Sequence, residues 1–487
     1  MGRTLTLAID QGTHATRAIV FDGLGRPVAS ALRPVTLQVR SRAVVEQSPD
    51  EILDSLHTVL DEVLRHPDVD RARIAAAGLA TQRSSVLAWD RRTGQALSPV
   101  LSWQDTRTAA ELTALRGHDR AIREHTGLRL SPHYGAGKLR WLLRNETGVG
   151  AARAQGVLAL GPLAGFLLHH LTDTDNETVD HANASRTLLW NLETRDWDPW
   201  LLGLFDVPRD LLPACRPILA DHGVIRGRDI PLRAVNGDQT AALYAHGMPP
   251  GDTLVVNIGT GAFVLLPTGG TRRAHPALLS GLSRSDGEAA DFYVEGTVNG
   301  AAAALDWVAE RYDIADWPAR APGWLERIES PPVFLNSIGG LGAPWWQPGP
   351  EPAFLTEGPG VEAGPAEAMT AAVESIVFLI QANVDLLRAL NPAVARIRIS
   401  GGLAVLDGLC RKLADLSRLT VERSAVIEST ARGIAWLAAG CPDEWPPPAV
   451  ESRFPPRDDA RLGQRYTRFR AALESAPGPN ATVSGRP

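Results

Sequence analysis

From Pro49 to Leu64 the apolar residues Ile52, Leu53, Leu56, Val59, Leu60 and Val63 recur at helical spacing, which predicts one amphipathic helix. A second stripe, Met369, Ala372, Val373, Ile376, Ile380 and Val384, predicts a long helix from Pro365 to Ala389. Proline suits its first turn, where no backbone N–H is needed. Elsewhere short apolar runs stop at turn residues. Leu5 to Ile9 runs into Asp10-Gln11-Gly12-Thr13, and Arg17 to Asp22 returns as a second strand. Ile74 to Ala80 ends at Thr81-Gln82-Arg83, and Ile397 to Ser400 ends at Gly401-Gly402. The apolar stretch from Gly156 to Leu171 reads as helix. Strands alternating with helices indicate α/β packing around a mixed sheet.

The first hairpin is written twice. Leu254 to Gly261 repeats the pattern of an apolar strand ending in a glycine–threonine turn, and Ala262 to Leu266 returns. A repeat so long means two similar domains rather than a solenoid. The turn-rich Met248-Pro249-Pro250-Gly251-Asp252 marks the boundary, giving domains at residues 1–247 and 248–475 and a Pro/Gly/Ser/Asn-rich tail at 476–487. Two domains also suit a chain of 487 residues. A net charge of -6 leaves no broad basic field for nucleic acid or an anionic membrane. Three scattered cysteines, Cys215, Cys410 and Cys441, do not make a disulfide framework or zinc cluster. With no signal-peptide pattern and no long apolar span, the expected location is the cytoplasm.

The turns carry the chemistry. A glycine lets the backbone approach a phosphate, a threonine hydroxyl donates to it, and neighbouring N–H groups form an anion cradle. Asp10-Gln11-Gly12-Thr13 could be a plain hairpin turn, but its echo at Gly259-Thr260-Gly261 and the pair Gly401-Gly402 suggest a nucleotide held between two domains. Only the first turn has a carboxylate, Asp10; the second has Asn257. P-loop and dinucleotide-binding patterns are missing from the required strand–helix context. Asn236-Gly237-Asp238-Gln239 ends another apolar approach and opens a small-residue helix. Asp238 there is either a helix cap or a general base for a hydroxyl attacking a γ-phosphate. Adjacent His169 and His170, with His181 near Asp180, point apart on a helix and make a poor metal site. The run from Gln464 to Arg470 reads as a packing helix with a solvated cationic face.

Several motifs taken together carry a resemblance. Ala8 to Thr13, Arg17 to Asp22, Trp103-Gln104-Asp105, Asn183 to Thr187, Gly237-Asp238-Gln239, Gly259-Thr260-Gly261, Gly340 to Pro344 and Gly401-Gly402 resemble, in order, the FGGY carbohydrate kinase family, and within it the branch that acts on glycerol. The resemblance implies an α/β fold of two ribonuclease-H-like domains, of the actin/hexokinase ATPase type, flanking a deep cleft with MgATP and a polyol. It implies Asp238 as catalytic base and Asp10 as the Mg²⁺-side carboxylate, acting through water. Thr13, His14, Ala15 and Arg17 would lie at the first phosphate hairpin, Thr260 and Gly261 at the second. Ala302, Gly401, Gly402 and Leu406 would line the nucleotide pocket. Arg83 and Gln239 would donate to polyol hydroxyls, with Trp103 and Phe263 as the apolar wall. A homo-oligomer, dimer or tetramer, is implied as well.

The chain also departs from that pattern. Ser84 stands where the family has a glutamate that accepts from the polyol, and His133, with Tyr134 beside it, stands where the family has a tyrosine. Losing a charge-assisted contact to a hydroxyl weakens binding by ~1.5–3 kcal/mol unless another group fills in. Ala302 replaces a family glycine and Leu406 an asparagine that meets adenine. The segment from Ala220 to Ile230 is shorter than the glycine-rich loop through which some bacterial members bind fructose bisphosphate, so no such regulation is expected. The expected activity is ATP-dependent phosphorylation of a terminal hydroxyl on a small polyol, glycerol first, with a tetritol, pentitol or ketose as the alternative. A catalytically weak sugar- or nucleotide-binding homologue and an actin-like ATPase are the competing readings; Asp10 and Asp238 argue against the first, the polyol residues against the second.

Overall fold

Two mixed sheets, built to one plan, organise the computed structural model, which describes residues 4–173, 177–355, 363–426 and 428–475. The tail at 476–487 lies outside the described residues. In the first sheet β1 (Leu5–Gln11), β2 (Ala15–Phe21) and β3 (Pro27–Pro34) form an antiparallel meander. Strands β4 (Ile74–Thr81) and β5 (Ile230–Gly237) extend it in parallel beyond β1. Helix α1 (Pro49–Arg65) lies on β2 and β3 and buries the predicted stripe, with the Ser48 hydroxyl accepting from the Glu51 N–H at its start. Three further helices of this half bear on the site: α2 (Gly135–Asn145), α3 (His181–Ser185) and α4 (Asp238–Ala242).

The second sheet repeats the plan. β6 (Thr253–Ile258) and β7 (Ala262–Gly269) form the hairpin, β8 (Leu279–Ser285) and β9 (Ala290–Val298) continue antiparallel, and β10 (Arg396–Ser400) and β11 (Thr420–Ser424) run parallel to β6. β12 (Val450–Phe454) closes the edge. Helix α5 (Pro365–Leu390) is buried almost all round because β7, β9 and neighbouring helices surround it. By length and composition it could cross a membrane, yet 89% of its apolar window is buried inside the second core.

Chain order and packing part company in places. Helix α6 (Ser429–Ala438), from the second half, packs on β1, β4, β5 and α4 of the first. The approach requires glycine at 433, where a Cβ would lie 1.8 Å from the Ala241 carbonyl oxygen.

The stretch from Gly156 to Leu171 is not one helix. Leu158–Pro162 is a strand paired with Val86–Asp90, and only Leu163–Leu171 is helical. Both pieces are buried, so neither shows a polar face, and periodicity cannot separate a buried strand from a buried helix. That strand belongs to a third, five-stranded sheet with Val86–Asp90 and Val100–Leu101, whose ends carry Arg83–Ser85 and Ser102–Trp103.

Candidate active site

Strand register brings the predicted acids together. Gln11, Thr81 and Gly237 stand in one row across β1, β4 and β5. Asp10 precedes that row on β1, Arg83 lies two residues past it on β4, and Asp238 one residue past it on β5. All three sit at the carboxyl ends of parallel strands, where open α/β sheets place ligands. The second sheet offers the matching edge: Asn257 pairs with Ser400, and Gly401 follows with φ +94°. A side chain at 401 would lie 2.4 Å from the Ile258 carbonyl oxygen, so only glycine lets the chain turn there.

Asp238 opens α4, with its Oδ1 accepting from the Gln239 N–H at 2.7 Å and 3.8 Å from Arg83 Nε. Burial pushes its carboxyl above the usual aspartate range, against the opposing charge of Arg83. Its side chain still keeps 30% exposure, so it faces an opening rather than a sealed core. Asp10 is more enclosed. Burial, reinforced by the charge of Asp238, pushes its carboxyl up to about 7, although Arg17 pulls the other way. Arg17 lies 4.0 Å from Asp10 and 3.3 Å from Glu428. Asp10 and Asp238 act on each other electrostatically, and their arginines stop at 4.0 and 3.8 Å, beyond hydrogen-bond distance, which leaves oxygen donors for a hard cation.

The polyol candidates cluster next to them. Arg83 donates to the Tyr293 hydroxyl at 3.0 Å and to Gln239 Oε1. Ser84 adopts φ +65°, a left-handed conformation costly for any residue but glycine, and its hydroxyl donates to the Arg186 carbonyl at 3.2 Å. Trp103 Nε1 donates to Thr13 Oγ1 at 2.9 Å, which ties Trp103 to the first hairpin. His133 is exposed, with Nδ1 3.1 Å from the Trp103 carbonyl oxygen; Tyr134 is half-buried at the start of α2. Phe263 faces Asn257 across the second hairpin and is half-buried.

The nucleotide candidates divide. Gly12 N–H closes the first turn on the Ala15 carbonyl at 2.9 Å, and His14 is exposed at its tip. In the second turn Gly259 N–H bonds the Gly261 carbonyl, while the Thr260 carbonyl accepts from Ala301. Ala302 begins the helix Ala302–Arg311, and its N–H reaches the Gly259 carbonyl at 3.2 Å. Gly402 opens the turn Gly402–Val405. Leu406 is 5% exposed and packs into the second core, so the apolar side chain this turn presents to solvent is Val405, 71% exposed.

Sequence reasoning passed over four groups. Arg186, Tyr293 and Glu295 join the two halves beneath Arg83: Arg186 Nη2 donates to Glu295 Oε2 at 2.5 Å and to the Tyr293 hydroxyl. Tyr293 and Glu295 lie on the same face of β9, so a carboxylate in a largely buried strand was the available signal. Lys138 is fully buried on α2, beside Leu139, and nothing in its helical spacing marks it. Of the histidines flagged in the sequence, His170 Nε2 lies 2.9 Å from the Gly94 carbonyl oxygen and His181 Nδ1 lies 3.1 Å from Ser285 Oγ, while Asp180 caps α3.

Comparison with known proteins finds similarity along most of the chain. Residues 5–232 match the N-terminal domain of the FGGY family of carbohydrate kinases and residues 254–440 its C-terminal domain. A glycerol kinase of Allorhizobium ampelinum is 35% identical over 457 residues, covering 90% of each chain. A crystal structure of Plasmodium falciparum glycerol kinase with ADP superposes with TM-score 0.86 at 22% identity, covering 97% of this chain and 98% of that one. The xylulose kinase of Rhodospirillum rubrum superposes with TM-score 0.83 at 20% identity, covering 97% and 98%.

Proposed function

The chain belongs to the FGGY family of carbohydrate kinases, and from that premise we propose that it transfers the γ-phosphoryl group of ATP to a terminal hydroxyl of glycerol, giving sn-glycerol 3-phosphate and ADP. One observation carries the assignment of roles: Asp238 stands at the end of β5, open on one side and flanked by Arg83 and Gln239, where a bound hydroxyl can reach it. Asp238 takes the hydroxyl proton as the oxygen–phosphorus bond forms and the bond to the ADP oxygen breaks. Arg83 and Gln239 donate to the remaining hydroxyls, and Trp103 and Phe263 cover the carbon backbone. Thr13 and Thr260 face the phosphates from the two hairpins.

The carboxylate pair fits a hard divalent cation, and Asp10 would hold Mg²⁺ on the nucleotide side, directly or through water. Bound there, Mg²⁺ supplies charge neutralisation on the transferred phosphate. Residues 1–247 then supply the polyol site and first phosphate hairpin, residues 248–475 the nucleotide pocket. The same reading places the enzyme in the cytoplasm as a homo-oligomer with no nucleic-acid or membrane partner.

A second acceptor class has its own support. Ser84 is neutral and short, and the exposed His133 borders the same pocket, which favours a tetritol, pentitol or ketose over glycerol. Coupled ADP release with MgATP against glycerol, erythritol, pentitols, xylulose, ribulose and dihydroxyacetone decides between them. Glycerol is expected to reach a kcat/KM above ~10⁴ M⁻¹s⁻¹. A stronger preference for another compound reassigns the acceptor, and silence across the panel removes the kinase reading. With the preferred acceptor, Asp238→Asn is expected to lower turnover ~10²-fold or more with little change in either KM. Near-normal turnover would take Asp238 out of the mechanism.

A further inference from the structure

Lys138 is the one charged side chain of α2 that points wholly inward, and its ammonium meets only backbone. Nζ donates to the carbonyl oxygens of Ser84, Ser102 and His133, each at 2.8 Å. An ammonium has three protons, and all three are used. The three acceptors lie on three separate loops, and each loop carries a proposed polyol residue: Arg83–Ser84, Trp103 and His133. These loops are otherwise joined by single bonds, Trp103 N–H to Ser85 Oγ at 3.0 Å and His133 Nδ1 to the Trp103 carbonyl. Ser84 is also the residue in a left-handed conformation, a state that persists only where its surroundings hold it.

We propose that Lys138 is a positioning residue for the acceptor site: its three-way bond to the carbonyls of Ser84, Ser102 and His133 sets the spacing of the loops that grip the polyol. The inference rests on the polyol-kinase reading of these loops. A neutral apolar residue could fill the same space, but the Ser84 and His133 carbonyls would then lose their donor, and Ser102 would keep only the Asp105 N–H at 3.0 Å. Burying an ammonium without an adjacent hydrogen-bonded carboxylate is costly, so a purely structural position would favour a different residue. Asp105 is the nearby charge that favours the ammonium, and Arg107 opposes it. Asp105 itself is engaged by Arg107 at 2.7 Å rather than by Lys138.

The test compares wild type with Lys138→Met, which keeps the stem and removes all three donors, and Lys138→Gln, which keeps two N–H donors on a shorter stem. In steady-state kinetics the acceptor KM is expected to rise ~10-fold or more in Lys138→Gln and further in Lys138→Met, with the MgATP KM within about twofold. Equal loss on both substrates, or an unchanged acceptor KM in a folded Lys138→Gln protein, overturns the proposal. Hydrogen exchange of Lys138→Gln needs no substrate and separates the two readings. Faster exchange confined to residues 83–86, 102–105 and 131–134 is expected. If wild type phosphorylates nothing, the kinase reading falls, while unchanged exchange in those loops would remove the tie itself.

Discussion

At the residue scale, the two carboxylates proposed to carry the chemistry stand at the ends of β1 and β5, and their environments push both upward. Burial raises Asp10 to about 7 and Asp238 above its ordinary 3.8, with Arg83 opposing the second shift. A base works only when deprotonated, so activity is lost as pH falls through the raised value. The acid limb of kcat/KM is therefore expected above the ordinary aspartate value of 3.8, and it belongs to the coupled pair rather than to either residue. Arg83→Gln removes the group that lowers Asp238 and is expected to move the limb to higher pH. A limb unchanged or moved lower in that variant would show that Arg83 does not tune the base. At this scale the sequence was readable where strands run out: Gly12, Gly237, Asp238 and Gly401 stand at or just past strand ends, and Asp10 one residue before the end of β1. Lys138, Tyr293 and Glu295 were not, because their partners come from distant segments.

At the scale of elements, α3 packs on β8, and His181 joins them by a side-chain hydrogen bond. Ser285 Oγ accepts from the Ile218 N–H at 3.1 Å and lies 3.1 Å from His181 Nδ1. Burial, helped by Arg195, lowers His181 from 6.5 to about 4. Between pH 6.5 and 4 the unfolded chain binds a proton that the native state does not. Stability from this group is therefore complete above pH 6.5 and lost as pH falls toward 4, by on the order of 1–3 kcal/mol. Urea unfolding at pH 7.5 and 5 is expected to show a smaller loss for His181→Asn than for wild type; equal losses would place the acid sensitivity elsewhere. Helices α1 and α5 were legible because each shows one periodicity over a long window. The strand Leu158–Pro162 was not, because it is buried on both faces and reads as a continuation of the helix after it.

For the whole molecule, the two sheets are bound beneath the site by Arg186 with Glu295 and by Arg83 with Tyr293. The side chains of Arg186 and Glu295 are 5% and 2% exposed. Removing one partner of such a pair leaves the other charge buried, and Glu295→Gln is expected to cost about 3–5 kcal/mol. Because the pair spans both halves, the loss should also split urea unfolding into two transitions, read by tryptophan fluorescence. A single transition with a shift under about 0.5 kcal/mol would show that the pair does not hold the halves together.

The order of apolar runs and turns along the chain already specified two copies of one α/β plan and the residues that end their strands, because period and turn chemistry are local properties. Which side chains close the site depended on the tertiary structure. Arg186 finds Glu295, Lys138 finds three loop carbonyls, and α6 crosses from the second half to cover the first sheet. Each of these contacts joins positions far apart in the chain, and burial makes them decisive: an ion removed from water must find partners wherever the fold supplies them.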